Sequence, residues 1–179
     1  MAFFSRLLTL DSMRQQSDGT AGTNVRYDGE DSVQWPDSKD FTPVSATVPK
    51  SDINIAKVGV YFQVHNMSVS RGSNVQKSGY AMLKEEFMST CGFKVEAGHV
   101  FFRAAIFAEM KKDMLYSVEC RVSDGEISFT YCECTAGHGP HAICKHVAVM
   151  LYSLEHYERS GEWMLARSCT DRAHISLDT

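Results

Sequence analysis

Residues 131–146 read Tyr-Cys-Glu-Cys-Thr-Ala-Gly-His-Gly-Pro-His-Ala-Ile-Cys-Lys-His, and the chain on either side has to fold around them. Cys132 and Cys134 stand two apart at the end of an alternating, strand-like segment, so both sulfurs project from one face. Gly137, Gly139 and Pro140 let the following loop turn back and bring Cys144 and His146 to the same place. In a regular helix, residues two apart point about 200° apart, so Cys144 and His146 cannot share an ion from mid-helix. Cys144 is therefore expected at or just before a helix start, where the positive end of the helix dipole favours its thiolate. Three thiols and an imidazole, with no carboxylate, select zinc, at about 2.3 Å to sulfur and about 2.0 Å to nitrogen. Any one of these residues alone reads as an ordinary buried cysteine or surface histidine; the C-x-C and C-x-H spacing is what points to metal. Such a site carries one net negative charge, which Lys145 is placed to offset.

Upstream of this stretch the apolar period is two. Val100, Phe102, Ala104, Ile106 and Ala108 alternate with their neighbours, as do Tyr116, Val118, Cys120 and Val122, then Ile127, Phe129 and Tyr131. Asp124-Gly125 supplies the positive φ values of a tight hairpin turn. Downstream, Val147, Met150, Leu151 and Leu154 recur at helical spacing, with Ser153, His156 and Glu158 turned elsewhere, until Gly161 ends the helix. The fold class expected is α+β: a small three-stranded antiparallel meander, a preceding helix, and a ββα-like zinc finger with a closing helix.

Toward the N-terminus the signals weaken. Tyr80, Met82, Leu83, Phe87 and Met88 predict a short helix capped near Cys91-Gly92, residues 72–78 read as a turn, and Ile53, Ile55, Val58, Val60, Phe62 and Val64 suggest an extended segment. Residues 1–52 are poor in aliphatic side chains and are expected to form a largely disordered arm, with 33–35 and 41–44 as apolar pieces that dock on the domain or on a partner. The organisation expected is this arm, a helix-containing part over 53–98, the meander with its finger over 99–160 (the finger about 116–157), and a polar tail over 161–179 in which Trp163 and Leu165 are anchors.

The 179 residues and 44% hydrophobic content suffice for one domain with a core. There is no apolar run of the ~18 residues a bilayer span needs, and the apolar start is broken by Arg6 and Asp11, so neither membrane anchor nor signal peptide is expected. Six cysteines clustered in the C-terminal half suit a reducing, intracellular compartment in which close thiols bind metal. A net charge of −4 does not favour a strong grip on a phosphate backbone. Lys111, Lys112, Arg121, Lys145, Arg159, Arg167 and Arg172 are interspersed with acidic residues and read as a mixed, solvated surface.

Cys-Glu-Cys, the Ala-Gly loop, Cys-Lys-His and the Val-Ala-Val-Met-Leu helix together resemble a SWIM-type zinc finger, whose pattern is C-x-C, a variable loop, then C-x-H. The resemblance implies a structural zinc ion on Cys132, Cys134, Cys144 and His146. A wider likeness over roughly 98–172, ending in Ser168-Cys169-Thr170-Asp171, is similar to the segment that precedes YqaJ-type viral recombinase nucleases in eukaryotic proteins related to mobile elements. No acidic-and-lysine nuclease core is present, so nuclease activity is not carried over. What the resemblance implies is binding of DNA or of protein, with the nucleus favoured over the cytoplasm, and neither a membrane nor a small-molecule substrate.

The remaining candidates have plainer readings. His138 and His141 lie in the loop and could replace a ligand or bind a second ion, but beside a shell that is already full they read as solvated loop residues; Cys120 is core, and Cys91 and Cys169 are free thiols unless they pair with each other. A deaminase-like catalytic zinc needs a Glu in an H-x-E context, which is missing, and Glu133 between two ligands should point away from the metal. The chain is therefore expected not to be an enzyme.

Overall fold

The computed structural model describes residues 35–166, apart from 46, 66–68, 111, 112 and 138 and the side chains of 69–72. His138, Lys111, Lys112, Arg167, Arg172 and Cys169 of the sequence reading lie outside the described residues, as do 1–34 and the tail beyond 166.

Five strands, β1 (Thr42–Pro43), β2 (Met88–Glu96), β3 (His99–Phe107), β4 (Leu115–Ser123) and β5 (Glu126–Cys132), form one sheet in chain order, every pair antiparallel. This overturns the three-stranded meander expected from sequence. The strand that reading missed most completely is β2. A register shift between Met88 and Thr90 breaks its alternation, and Gly92, expected to cap a helix, sits mid-strand, where a Cβ would lie 3.2 Å from that of Phe41. The β2–β3 turn uses Ala97 (φ 50°) and Gly98 (φ 80°), and the β4–β5 turn uses Asp124 (φ 51°) and Gly125 (φ 75°), the paired positive φ values of type I′ hairpins.

Three helices accompany the sheet: α1 (Ile55–His65), α2 (Val69–Lys84) and α3 (Lys145–Ser160). The extended segment expected near 53–64 is instead α1. Asn54 caps it, its Oδ1 accepting from the backbone N–H groups of Ala56 and Lys57 at 3.1 Å. Its buried residues Val58, Tyr61 and Phe62 follow the helical period, while Val60 and Val64 are exposed; apolar residues on both sides produced the false alternation. The turn expected over 72–78 lies within α2. That helix ends earlier than expected, with Glu86 at φ 56° and the Glu86 and Phe87 amides donating to Leu83 O (2.9 Å) and Met82 O (3.1 Å), the Schellman pattern.

α3 is the centre of the molecule. Every residue from His146 to Leu154 is buried, Ser153 included, because the helix lies between the sheet on one side and α1 and α2 on the other. Phe93, Phe102 and Cys120 on neighbouring strands, with Ala104 and Val118 one row on, face it from the sheet, which places Cys120 and Cys91 in the core as free thiols. Gly161 (φ 76°) ends α3 as anticipated, its amide donating to Tyr157 O at 2.7 Å. Trp163 then folds back onto Tyr157, ring centroids 4.8 Å apart.

Residues 35–52, which the sequence reading assigned to the arm, wrap the domain. Trp35 packs edge-on to Phe101 and against Phe129 on the sheet face away from the helices, and Phe41 lies over Arg103, which is ion-paired to Glu119 at 2.9 Å. Val44 and Val48 join the main core, and Ser51 hydrogen-bonds Glu158 of α3.

α2 comes hard against α3 at Gly79, where a Cβ would lie 2.3 Å from Ala148 Cβ and 2.9 Å from Lys145 O. This glycine sets the position of the first turn of α3. Gly79→Ala should therefore cost about 2–3 kcal/mol or more by overpacking. Gly59→Ala, in mid-α1 with nothing within 4 Å of its Cβ, should gain up to about 1 kcal/mol. Urea denaturation of the two variants checks both signs.

Candidate metal centre

The C-terminal end of β5 and the N-terminal end of α3 meet at four side chains. Cys132 is the last residue of β5, Cys134 follows two residues on, Cys144 is the N-cap of α3, and His146 lies in its first turn. Their ligand atoms all fall within 4.8 Å of one another, and all four residues are buried, so these side chains could hold one metal ion. His146 presents Nδ1 to the group, 3.8 Å from Cys132 Sγ and 4.0 Å from Cys144 Sγ. A tetrahedral ion with the usual zinc bond lengths has edges of about 3.6–3.8 Å, so the two His146 distances are close to that geometry and the widest pair would have to close by up to about 1 Å.

Local structure explains the convergence. The extended backbone of Cys144 (φ −144°, ψ 166°) starts α3, and its Sγ accepts from Val147 N at 3.4 Å, so a sulfur takes the place of the usual hydroxyl or carboxylate cap. Having Cys144 outside the regular helix is what frees it to point the same way as His146. At the strand end, the Cys134 amide donates to Cys132 Sγ (3.4 Å), and Gly137 N donates to Cys134 O (2.8 Å). Gly137 O in turn accepts from Cys132 N at 3.1 Å, closing a knuckle too tight for a side chain: a Cβ on Gly137 would stand 2.5 Å from Cys132 Cβ. Gly137 is a residue whose role the sequence did not single out beyond loop flexibility.

The three thiols share protons unequally. Hydrogen bonds from Cys132 and then Cys144 hold Cys134 well below the usual thiol range, the signature of a stabilised thiolate. Cys132, hydrogen-bonded to Cys134 and Cys144 and desolvated by burial, is pushed far above that range. For Cys144 the hydrogen bond with Cys132 pulls down while that with Cys134 and burial push up, and the outcome is about 12. A divalent cation would replace this proton sharing by taking all three sulfurs as thiolates.

The surroundings are built around the same point. The Tyr116 ring lies 4.8 Å from the His146 ring and fixes its plane. Lys145 is ion-paired to Glu109 at the end of β3, so the cation that the sequence placed near the site is shared with a carboxylate. Glu133 turns away from the cluster, its Oε2 accepting from Ser117 N at 3.0 Å. The loop between the cysteine pairs is clamped at Ala142, whose amide donates to Thr130 O (3.2 Å) and whose carbonyl accepts from the hydroxyls of Thr130 (3.0 Å) and Tyr61 (3.2 Å). His141, next to that clamp, stacks on His65 of α1 instead of joining the four ligands.

The chain matches no protein-family model, no curated protein and no solved structure. No helix among the described residues is long and apolar enough to cross a membrane.

Gly137→Ala should force Cys132 and the knuckle apart and weaken metal binding at least about tenfold while leaving the hairpin in place. Competition titration against a chromophoric chelator, with circular dichroism as the control for folding, measures it.

Proposed function

We propose that Cys132, Cys134, Cys144 and His146 bind one zinc ion in a structural, SWIM-type site, and that the chain acts as a binding module and not as an enzyme. The observation that carries this is the burial of three sulfurs and one imidazole nitrogen within 4.8 Å of one another. The donor set is soft to borderline and lacks a carboxylate, which favours zinc over magnesium, calcium or manganese. Four protein ligands make a closed shell, the mark of a structural ion, whereas catalytic zinc keeps a position for water or substrate. Glu133, the acid nearest in sequence, is engaged with a backbone amide and so is not poised as a proton carrier for metal-bound water. The ion ties β5 to α3, so metal binding and the docking of the central helix are one equilibrium.

For the partner, the resemblance to SWIM fingers next to recombinase nucleases supports DNA in a mobile-element or recombinase-like context. A second reading, protein interaction, is favoured by a specific observation: Ile55, Val60 and Val64 leave apolar surface on α1 exposed by 54–69%, on a chain whose net charge is −4.

Elemental analysis of the purified chain should give one zinc per molecule, falling to near zero in Cys144→Ser and His146→Ala, with a loosened α3 and a hairpin that stays partly formed. A full equivalent of zinc in both variants would contradict the site. Fluorescence anisotropy with single- and double-stranded DNA at two salt concentrations separates the partner classes: DNA binding requires affinity that falls with salt, and no binding at either salt leaves the protein reading.

A further inference from the structure

His65, the last residue of α1, and His141, in the metal loop, stack face to face, with centroids 4.2 Å apart and ring planes 4° apart. An ion bound in the plane of one ring would lie far out of the plane of the other, so the pair is not built to share a metal. It is built to join two elements. His141 adopts φ 58°, a conformation a residue with a side chain seldom takes, and the next residue is Ala142, at the clamp to Thr130 and Tyr61. Tyr61, one turn before His65 on α1, also packs its ring against His65 at 4.8 Å.

We propose that His65 and His141 are a latch: while both imidazoles are neutral they hold the metal loop against α1, and when they take up protons they release it. The inference rests on the metal-binding reading of that loop and assigns the two histidines as positioning residues for it. Three features make the latched arrangement incompatible with charge. Two imidazolium rings stacked at 4.2 Å repel each other. His141 Nδ1 is buried with no hydrogen-bond partner among the described residues, tolerable for a lone pair and costly for an N–H of a cation. Arg121 of β4 adds a third positive charge on the His141 side. Among the described residues the other titratable group in ring contact with the pair is Tyr61, whose phenol burial holds neutral, and neither ring is ion-paired with a carboxylate there.

The direction of the linkage follows. Burial lowers both imidazoles below the ordinary value of 6.5, with the His141 charge a further cause at His65 and that of Arg121 at His141. The latched state therefore binds fewer protons than the released one. Latching is at full strength above the ordinary value and is lost as pH falls below it, by up to about a hundredfold per pH unit when two protons are taken up.

Hydrogen exchange at the Ala142 amide of the full-length, zinc-loaded chain, corrected for intrinsic rates, reads the latch directly. Protection should fall about tenfold or more between about pH 7 and about pH 5.5. In His65→Phe one of the two titrating rings is gone and a phenyl ring attracts a protonated His141. With only the buried Nδ1 and Arg121 left to oppose charge, the fall should be clearly smaller than in wild type and no steeper than one proton allows, about tenfold per pH unit. In His141→Asn, which accepts the positive φ but cannot stack, protection should be low at both pH values. Parallel profiles in wild type and His65→Phe, or wild-type protection in His141→Asn, would overturn the latch. Zinc content of the same samples keeps the two ideas apart: a chain holding no zinc at any pH refutes the metal reading while the Ala142 profiles still decide the latch, and a zinc-loaded chain with parallel profiles refutes the latch alone.

Discussion

A strand and a helix that leave their ends at the same point must satisfy each other there, and in this chain the point is occupied by three sulfurs and an imidazole. Cys132 terminates β5, Cys144 caps α3, and their approach decides where the buried helix runs across the sheet. A hydrophobic interface alone would allow α3 to slide or rotate by a residue; convergence of four ligand atoms within 4.8 Å does not. The rest of the packing agrees with that placement. Gly79 lets α2 come against the first turn of α3, Tyr116 stands against the His146 ring, and Tyr61 and Thr130 hold the loop from outside.

The sheet has two faces with different occupants, and the N-terminal segment reaches both of them, its Val44 and Val48 entering the core on the helix side. Helices cover one face; Trp35 and Phe41 cover part of the other, over Phe101, Phe129 and the Arg103–Glu119 pair. The loop between the cysteine pairs also runs beside β5, an outer strand, and takes up the hydrogen bonds of Thr130 O and Cys132 N. Loss of the loop would leave that edge open to pairing with another chain, so the loop's packing here also covers an otherwise exposed edge.

What could be read from the residues was the part of the fold in which one period dominates. The alternations at 100–108 and 116–122, the Asp124-Gly125 turn and the position of Cys144 at the helix start are all found where local pattern and tertiary structure agree. The four cluster residues were legible because their spacing encodes the geometry. The remainder was hidden for particular reasons. α1 buries Val58, Tyr61 and Phe62 but leaves Ile55, Val60 and Val64 in the open, so its apolar residues mimic a strand. Gly72, Ser73 and Asn74 suggest a turn over 72–78, yet the stretch is helical and runs straight into Gly79, which is needed for helix contact. Gly92 and the bulge near Thr90 disguised β2, and the apolar piece at 41–44, which suits docking either on the domain or on a partner, gave no means of choosing the core that Val44 and Val48 enter. His141 and Gly137 read in sequence only as a solvated loop histidine and a turn residue, since the His65 ring that stacks on the one is remote in sequence and the Cys132 contact that excludes a side chain from the other exists only once the knuckle is folded.

The central claim concerns the atoms around one ion, and X-ray absorption at the zinc edge of the purified full-length chain addresses those atoms directly. The account predicts a four-coordinate shell of three sulfurs at about 2.3 Å and one imidazole nitrogen at about 2.0 Å. A shell dominated by oxygen or nitrogen, or a chain that takes up no zinc under reducing conditions, would contradict it.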